Sequence, residues 1–307
     1  MSEQLERILV VPQPDDQVAL LVDGQLRCCW HFATRYPRPF LYPLVDPHGE
    51  PLTRMGHPAA PDHDHHRSVW FGHRSVGGVD FWSERSGGQH IRQTTWIHYQ
   101  DGDDAALMAV RLGWFDAHGV KLLSQDLVLS LTELDDGEYL VELQSEFRAE
   151  PTELVLGKTN FGFLGIRVAR GVSARYGYGE LQDSEGRRGE GEVFGRAARW
   201  VDYSGITAAN RLAGISYFDH PSNPRHPTLW HVRDDGWMCA SFCMQAPLVL
   251  HRGRALRLRY GLFVHRGRTP RQRIEAVWQD FARWGPWQNI GSRNGYRVWF
   301  QRQVPER

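Results

Sequence analysis

Apolar and polar residues alternate with a period of two along most of this chain, and that pattern points to a fold made almost wholly of strands. In Val141-Glu142-Leu143-Gln144-Ser145-Glu146-Phe147-Arg148 the odd positions are mostly apolar and the even ones polar, and Leu256-Arg257-Leu258-Arg259-Tyr260 alternates strictly. Successive side chains of a strand point to opposite faces, so each stretch describes a strand with one buried and one wet side. Comparable runs lie near residues 6–11, 17–22, 25–32, 94–99, 105–115, 121–132, 198–203 and 212–218. Between apolar runs stand Asp23-Gly24, Asp101-Gly102, His118-Gly119 and Asp136-Gly137, the dipeptides that hairpin loops favour. Strands joined in this way build an antiparallel sandwich or barrel.

One helix is expected, near the C-terminus. Thr269 can cap it, Pro270 suits its first position, and Ile274, Val277, Trp278 and Phe281 form a stripe at helical spacing before Gly285-Pro286 stops it. Tyr296 to Phe300 reads as a last strand. Residues 46–92 and 171–195 show no strand pattern and are rich in Gly, Pro, His, Arg and Asp. Ordered loops of that length in a compact domain are usually functional. No repeat or linker divides the chain, so residues 1–307 are expected to form a single domain.

Composition removes several classes of function. The 36 basic and 36 acidic residues cancel, which argues against bulk capture of nucleic acid or of an anionic membrane. No run approaches the roughly 18 apolar residues that span a bilayer, and the N-terminus carries no basic stretch followed by a long apolar core. Adjacent Cys28 and Cys29 would face opposite sides of a strand, and Cys239 and Cys243 lack redox or zinc spacing. Four free, buried thiols in a reducing compartment are expected, so the protein is read as cytoplasmic.

Two clusters could carry chemistry. The first is Asp62-His63-Asp64-His65-His66-Arg67, running on to Trp70 and His73. Five of the 15 histidines fall within residues 57–73, counting His57. Imidazole titrates near neutrality and suits proton transfer, and its neutral form binds metals. In an extended segment His63 and His65 would project to the same side, as a chelating pair can. The second cluster spans Asp219, His220, Asn223, Arg225 and His226 and continues to Trp230, His231, Arg233 and Asp234. Asp219 beside His220 offers a carboxylate–imidazole pair, and Arg225 and Arg233 can hold oxyanions or hydroxyls. A third segment, residues 184–190, adds Glu185 as a possible base, without the glycine spacing or lysine of a phosphate loop. Aromatic rings beside such groups suit a sugar, whose C–H faces stack on rings while its hydroxyls reach charged groups.

The stretches RPFLYPLVDPHG, TRMGHPAAPDHDHHRSVWFGH, GVDFW, SEGRRGE, RWVDYSG and FDHPSNPRHPTLWHVRDDG, with LRYGLFVHRG, resemble in order the PmoA-like family of bacterial proteins. The family usually reads Asp-His-Pro-His-His where this chain has Asp64 in place of the proline. More distantly the chain is similar to the galactose-mutarotase-like β-sandwiches. That resemblance implies an all-β antiparallel supersandwich that binds sugars in a shallow cleft with His and carboxylates.

The expectation is therefore an enzyme, of the epimerase, lyase or hydrolase kind, acting on a sugar or keto-sugar by His and carboxylate acid–base chemistry. His63, His65 and His66 would work with His220 or Glu185. Arg67, Trp70, His73, Asp80, Trp82, Asp219, Asn223, Arg225, His226, His231 and Arg233 would bind the substrate. No cofactor is expected. In a metal-dependent alternative, His63, His65 and His220 hold Zn, Fe or Mn; in a third, the protein binds sugar without turnover. The oligomeric state is open.

Overall fold

In the computed structural model, which describes residues 6–56, 63–84, 87–292 and 297–303, two eight-stranded antiparallel sheets pack face to face. The first runs in spatial order Ile8–Gln13, Gln17–Val22, Gln25–His31, Phe40–Leu44, Val69–His73, Gly162–Arg167, Trp237–Ala240, Trp230–Arg233. The second runs Glu180–Asp183, Trp200–Ile206, Leu212–Asp219, Leu256–Arg266, Tyr139–Ala149, Lys121–Glu133, Ala105–Phe115, His90–Gln100. The all-β antiparallel sandwich expected from the alternation is the fold observed.

All four turn dipeptides sit between paired strands. Asp23 and Gly24 take φ of 49° and 76°, and Asp136 and Gly137 take 61° and 73°. Two left-handed residues in a row match a turn to the twist of its strands. The segments read as loops hold more structure than alternation revealed. Residues 46–92 contain Val69–His73, a strand inside the first sheet, and residues 171–195 contain the edge strand Glu180–Asp183 and a short helix, Gly189–Val193. All five residues of Val69–His73 are buried, so no wet face writes a period into the sequence.

Inward-facing residues of both sheets, among them Leu20, Phe71, Leu164 and Met238 from one and Met108, Leu129, Val141 and Ile215 from the other, form one core. The C-terminal helix, Arg271–Arg283, lays Ile274, Val277 and Phe281 on Trp200, Phe218 and Phe263 at the outer face of the second sheet. Its start differs from expectation. Pro270 takes the cap position, and the Thr269 hydroxyl instead meets His265 Nδ1 at 2.8 Å, because His265 is buried against Asp202 and needs a partner on its other ring nitrogen. Of the expected last strand only Phe300–Gln301 is strand, and Tyr296 lies outside the described residues. The outer face of the first sheet is aromatic, with Phe40, Trp70, Trp82 and Trp237 clustered there. Polar segments roof it, and that is where the cleft lies.

The four cysteines are free and buried, and burial pushes the Cys29 thiol up to about 11 and those of Cys239 and Cys243 up to about 12. Among the described residues no helix is long and apolar enough to cross a membrane.

On the outer face of the second sheet, beside the C-terminal helix, one buried carboxylate is shared by two guanidiniums. Glu142 Oε1 accepts from Arg259 Nε at 2.8 Å and its Oε2 from Arg302 Nη1 at 3.0 Å, with all three side chains buried. Removing the carboxylate leaves two guanidiniums side by side in the interior. Glu142→Ala is expected to cost about 3–5 kcal/mol, read as the shift in a urea unfolding curve. A change below about 1 kcal/mol would mean that water reaches this set.

Candidate active site

The cleft opens on the outer face of the first sheet and has a volume of about 900 Å³. Its floor follows from strand register. Arg167 and Trp237 face each other across one antiparallel pair, and Trp237 faces Arg233 across the next. His231, two residues before Arg233 on the same strand, also lines the cleft. Gly165 shares the Arg167 face. A Cβ there would stand 2.4 Å from Cη2 of Trp237 and 3.2 Å from Cη2 of Trp82. Only glycine lets both indoles come so close to the strand. Gly165→Ala is expected to destabilise the fold by about 1–3 kcal/mol and to lift Trp237 into the cleft. Differential scanning calorimetry checks the first effect, and unchanged melting would show that the rings part freely.

One wall is the histidine segment. It is a turn rather than the extended segment expected: His66 N donates to the His63 carbonyl at 3.0 Å, and Gly56 N donates to the His66 carbonyl at 2.7 Å. The turn still gathers the rings, with centroids 5.6 Å apart for His63 and His65 and 4.3 Å for His65 and His66. His66 stacks on Trp237 at 5.0 Å and 17°. His57 and Asp62, from the same cluster, lie outside the described residues.

Another part of the wall is acidic. Glu190, on the short helix, accepts from Arg233 Nη1 at 2.6 Å and from Asp234 N at 2.9 Å, and its own N–H donates to Asp234 Oδ1 at 3.0 Å. Asp234 Oδ2 has no hydrogen-bond partner among the described residues. His231 Nδ1 lies 3.0 Å from the Asn160 carbonyl, which selects the Nδ1–H tautomer and leaves Nε2 as an acceptor. Burial, and then the neighbouring Arg233, push the His231 imidazole down to about 4. It stands in the cleft uncharged at neutral pH.

Trp82 lines the cleft because the turn beneath it is pinned. Asp80 Oδ1 accepts from Trp82 N at 2.7 Å and from Ser83 N at 3.0 Å. Arg38 Nη2 donates to the Trp82 carbonyl at 2.8 Å, and Glu84 ties Arg38 at 2.6 Å to Arg67 at 2.9 Å. Asp80 and Arg67, expected to touch substrate, are spent on holding this turn. Trp70 is buried beneath His66, and His73 stacks on Phe163 with Nε2 at 3.1 Å from the Gly157 carbonyl. Neither lines the cleft.

The two expected clusters meet only in part. His63, His65 and His66 share the cleft with His231 and Arg233, but Asp219, His220, Asn223, Arg225 and His226 do not line it. They instead join the strand Leu212–Asp219 to the C-terminal helix. Asp219 is buried and accepts from Asn223 Nδ2, His226 Nδ1 and Thr228 N at 2.8, 2.8 and 3.0 Å. His220 has Arg259 Nη1 at 2.9 Å and Ser222 Oγ at 2.8 Å, and Arg225 donates to the carbonyls of Phe242, Ala246 and Pro247. Glu185 lies in a different groove, 3.3 Å from Arg199. The lining residues that sequence did not single out are Arg74, Phe161, Arg167, Arg175, Asp235 and Trp237, whereas Asp234 closed the second cluster and Glu190 the third segment. Of the unnamed residues, Asp235 alone carried a signal, as the second carboxylate of the Asp234-Asp235 pair that directly follows Arg233.

The metal set suggested by sequence is likewise divided. His63 and His65 are together, and His220 has both ring nitrogens engaged elsewhere. Among the described residues no three His, Cys, Asp or Glu side chains are placed to hold one ion.

A β-sandwich whose outer face carries a roofed, His-, Arg- and carboxylate-lined cleft is the class that fold and site define. The chain belongs to a family of unknown function, DUF6807, whose model matches residues 17–279. That span holds every motif on which the PmoA-like resemblance rests, and the family's description does not carry that name. No curated protein matches the chain. Among solved structures it is similar to a GalM/aldose epimerase homologue from C. elegans, at 9% identity and a TM-score of 0.31, over 85% of this chain and 99% of that one.

Proposed function

We propose that the protein is a carbohydrate-processing enzyme that takes a sugar or keto-sugar into this cleft and moves a proton on it. The observation that carries the reading is one cleft in which three clustered imidazoles stand with an incompletely engaged carboxylate, Asp234, and with the rings of Trp82, Trp237 and Phe161. The rings offer faces for the C–H side of a sugar, and His231 Nε2 can accept from a hydroxyl. One of His63, His65 and His66 acts as base or acid, with Asp234 as counterpart in place of the distant Glu185 or His220. Epimerisation, ring opening, β-elimination and hydrolysis all use such a pair. Four unpaired thiols suit a reducing cytoplasm.

The reading routes the proton through side chains and needs no cofactor. Proton NMR of neutral and oxidised sugars incubated with the protein in D₂O tests it. Solvent exchange or cleavage is expected, and inertness across the panel would overturn it. Elemental analysis of untagged protein is expected to find no stoichiometric metal; close to one Zn, Fe or Mn per chain would move the mechanism to the metal-dependent form.

A further inference from the structure

The cleft carries more cationic than anionic charge. Arg74, Arg167, Arg175 and Arg233 line it against Glu190, Asp234 and Asp235. Glu190 is bound to Arg233 and to the Asp234 backbone, and Asp235 Oδ1 accepts from Arg167 Nη1 at 2.7 Å. Arg74 and Arg175 are exposed, lie over the rings of Phe161 and Tyr176 at 5.2 and 5.6 Å, and form no ion pair among the described residues.

Arg167 adds an observation of a different kind. Its side chain is 1% exposed, yet Nε and Nη2 have no hydrogen-bond partner among the described residues. Buried donors left unmet are costly, and interiors rarely keep them without a purpose. These two nitrogens are not any two. Their N–H bonds run parallel along one edge of the guanidinium, the fork that takes both oxygens of a carboxylate. Asp235 engages the remaining nitrogen, Nη1, which holds the plane in place.

We infer that the substrate of this cleft bears a carboxylate, as an aldonate, a uronate or a keto-acid derived from them, and that Arg167 receives it side-on while Arg74 and Arg175 draw it in. This rests on the sugar reading above and narrows it to sugar acids. The two nitrogens are shut off from bulk water, so the carboxylate meets them in a dry setting, where a charge-assisted pair is strong, after a small side-chain shift in the floor. The exposed arginines act at longer range and are screened by salt.

Isothermal titration calorimetry of the full chain with sodium gluconate, sodium glucuronate, glucose and glucose 6-phosphate tests the assignment. An acid is expected to bind about tenfold to a hundredfold more tightly than glucose, the scale of one charge-assisted hydrogen-bond pair. Arg167→Lys keeps the charge but loses the fork, and is expected to remove most of that preference. Should Arg167→Lys fail to fold, the exposed double variant Arg74→Ala/Arg175→Ala carries the test: acid affinity falls severalfold, its salt dependence flattens, and the ratio of acid to glucose affinity falls with it. Equal binding of glucose and the acids would overturn the inference and leave the proposed function standing. Preference for glucose 6-phosphate would overturn the carboxylate. No binding by any of the four would overturn both.

Discussion

Lowering the pH from 7 to 4 is expected to remove several kcal/mol of folding stability well before most carboxylates are protonated. Three imidazoles cause this. Burial pushes His73 down to about 4, burial and then Arg233 push His231 to about 4, and burial and then Arg259 push His220 to about 3. Each ordinarily titrates near 6.5. Between 6.5 and the depressed value the unfolded chain binds protons that the folded chain does not, so stability rises with pH through that window. It is fully present above 6.5 and lost as pH falls towards 4 and then 3. Depression from 6.5 to about 4 corresponds to about 3 kcal/mol for each of His73 and His231, and depression to about 3 corresponds to about 5 kcal/mol for His220. His265 has the opposite sign. Burial acts to lower it, but Asp202 outweighs burial and raises it, so its contribution persists in acid and fades as pH rises past its folded value. Urea midpoints at pH 7, 5.5 and 4 read the net slope. A flat profile would mean that water reaches these imidazoles.

His65→Ala is expected to lower turnover about 10²- to 10⁴-fold while melting temperature stays within a few degrees of the parent. His65 lies in the roof of the cleft, outside every strand, so its loss empties no core position. The measurement is the NMR exchange or cleavage rate on whichever sugar the parent converts, alongside a thermal melt. Parental turnover in a folded His65→Ala protein would take the histidine turn out of the chemistry, leaving it as a wall.

How much of this was legible in the sequence depended on which faces the strands expose. Lys121–Glu133, Tyr139–Ala149 and Leu256–Arg266 alternate because one side meets water in part, and their hairpins carry the dipeptides that tight turns need. The strands under the cleft, Val69–His73, Gly162–Arg167 and Trp237–Ala240, are buried along their whole length and write no period. The sheet that matters most for function was therefore the least visible. Histidine density did mark His63, His65 and His66. The run from Asp219 to His226 looked equally chemical, since sequence cannot show that Thr228, Arg259 and the C-terminal helix take up its polar atoms. Arg167 stood out for the opposite reason: only the fold shows that an arginine ending an apolar strand keeps two donors unmet among the described residues.

Gly165 gives the site a simple dial. Because two indoles rest against a position with no side chain, the depth of the cleft is set by a single missing methyl group. Each carbon added at that position would raise the floor and shorten the longest ligand that still fits, while the roof and its ionisable groups stay where they are. The depth of the cleft and the ionisable groups of its roof are thus set by separate parts of the molecule, and one can be retuned without redrawing the other.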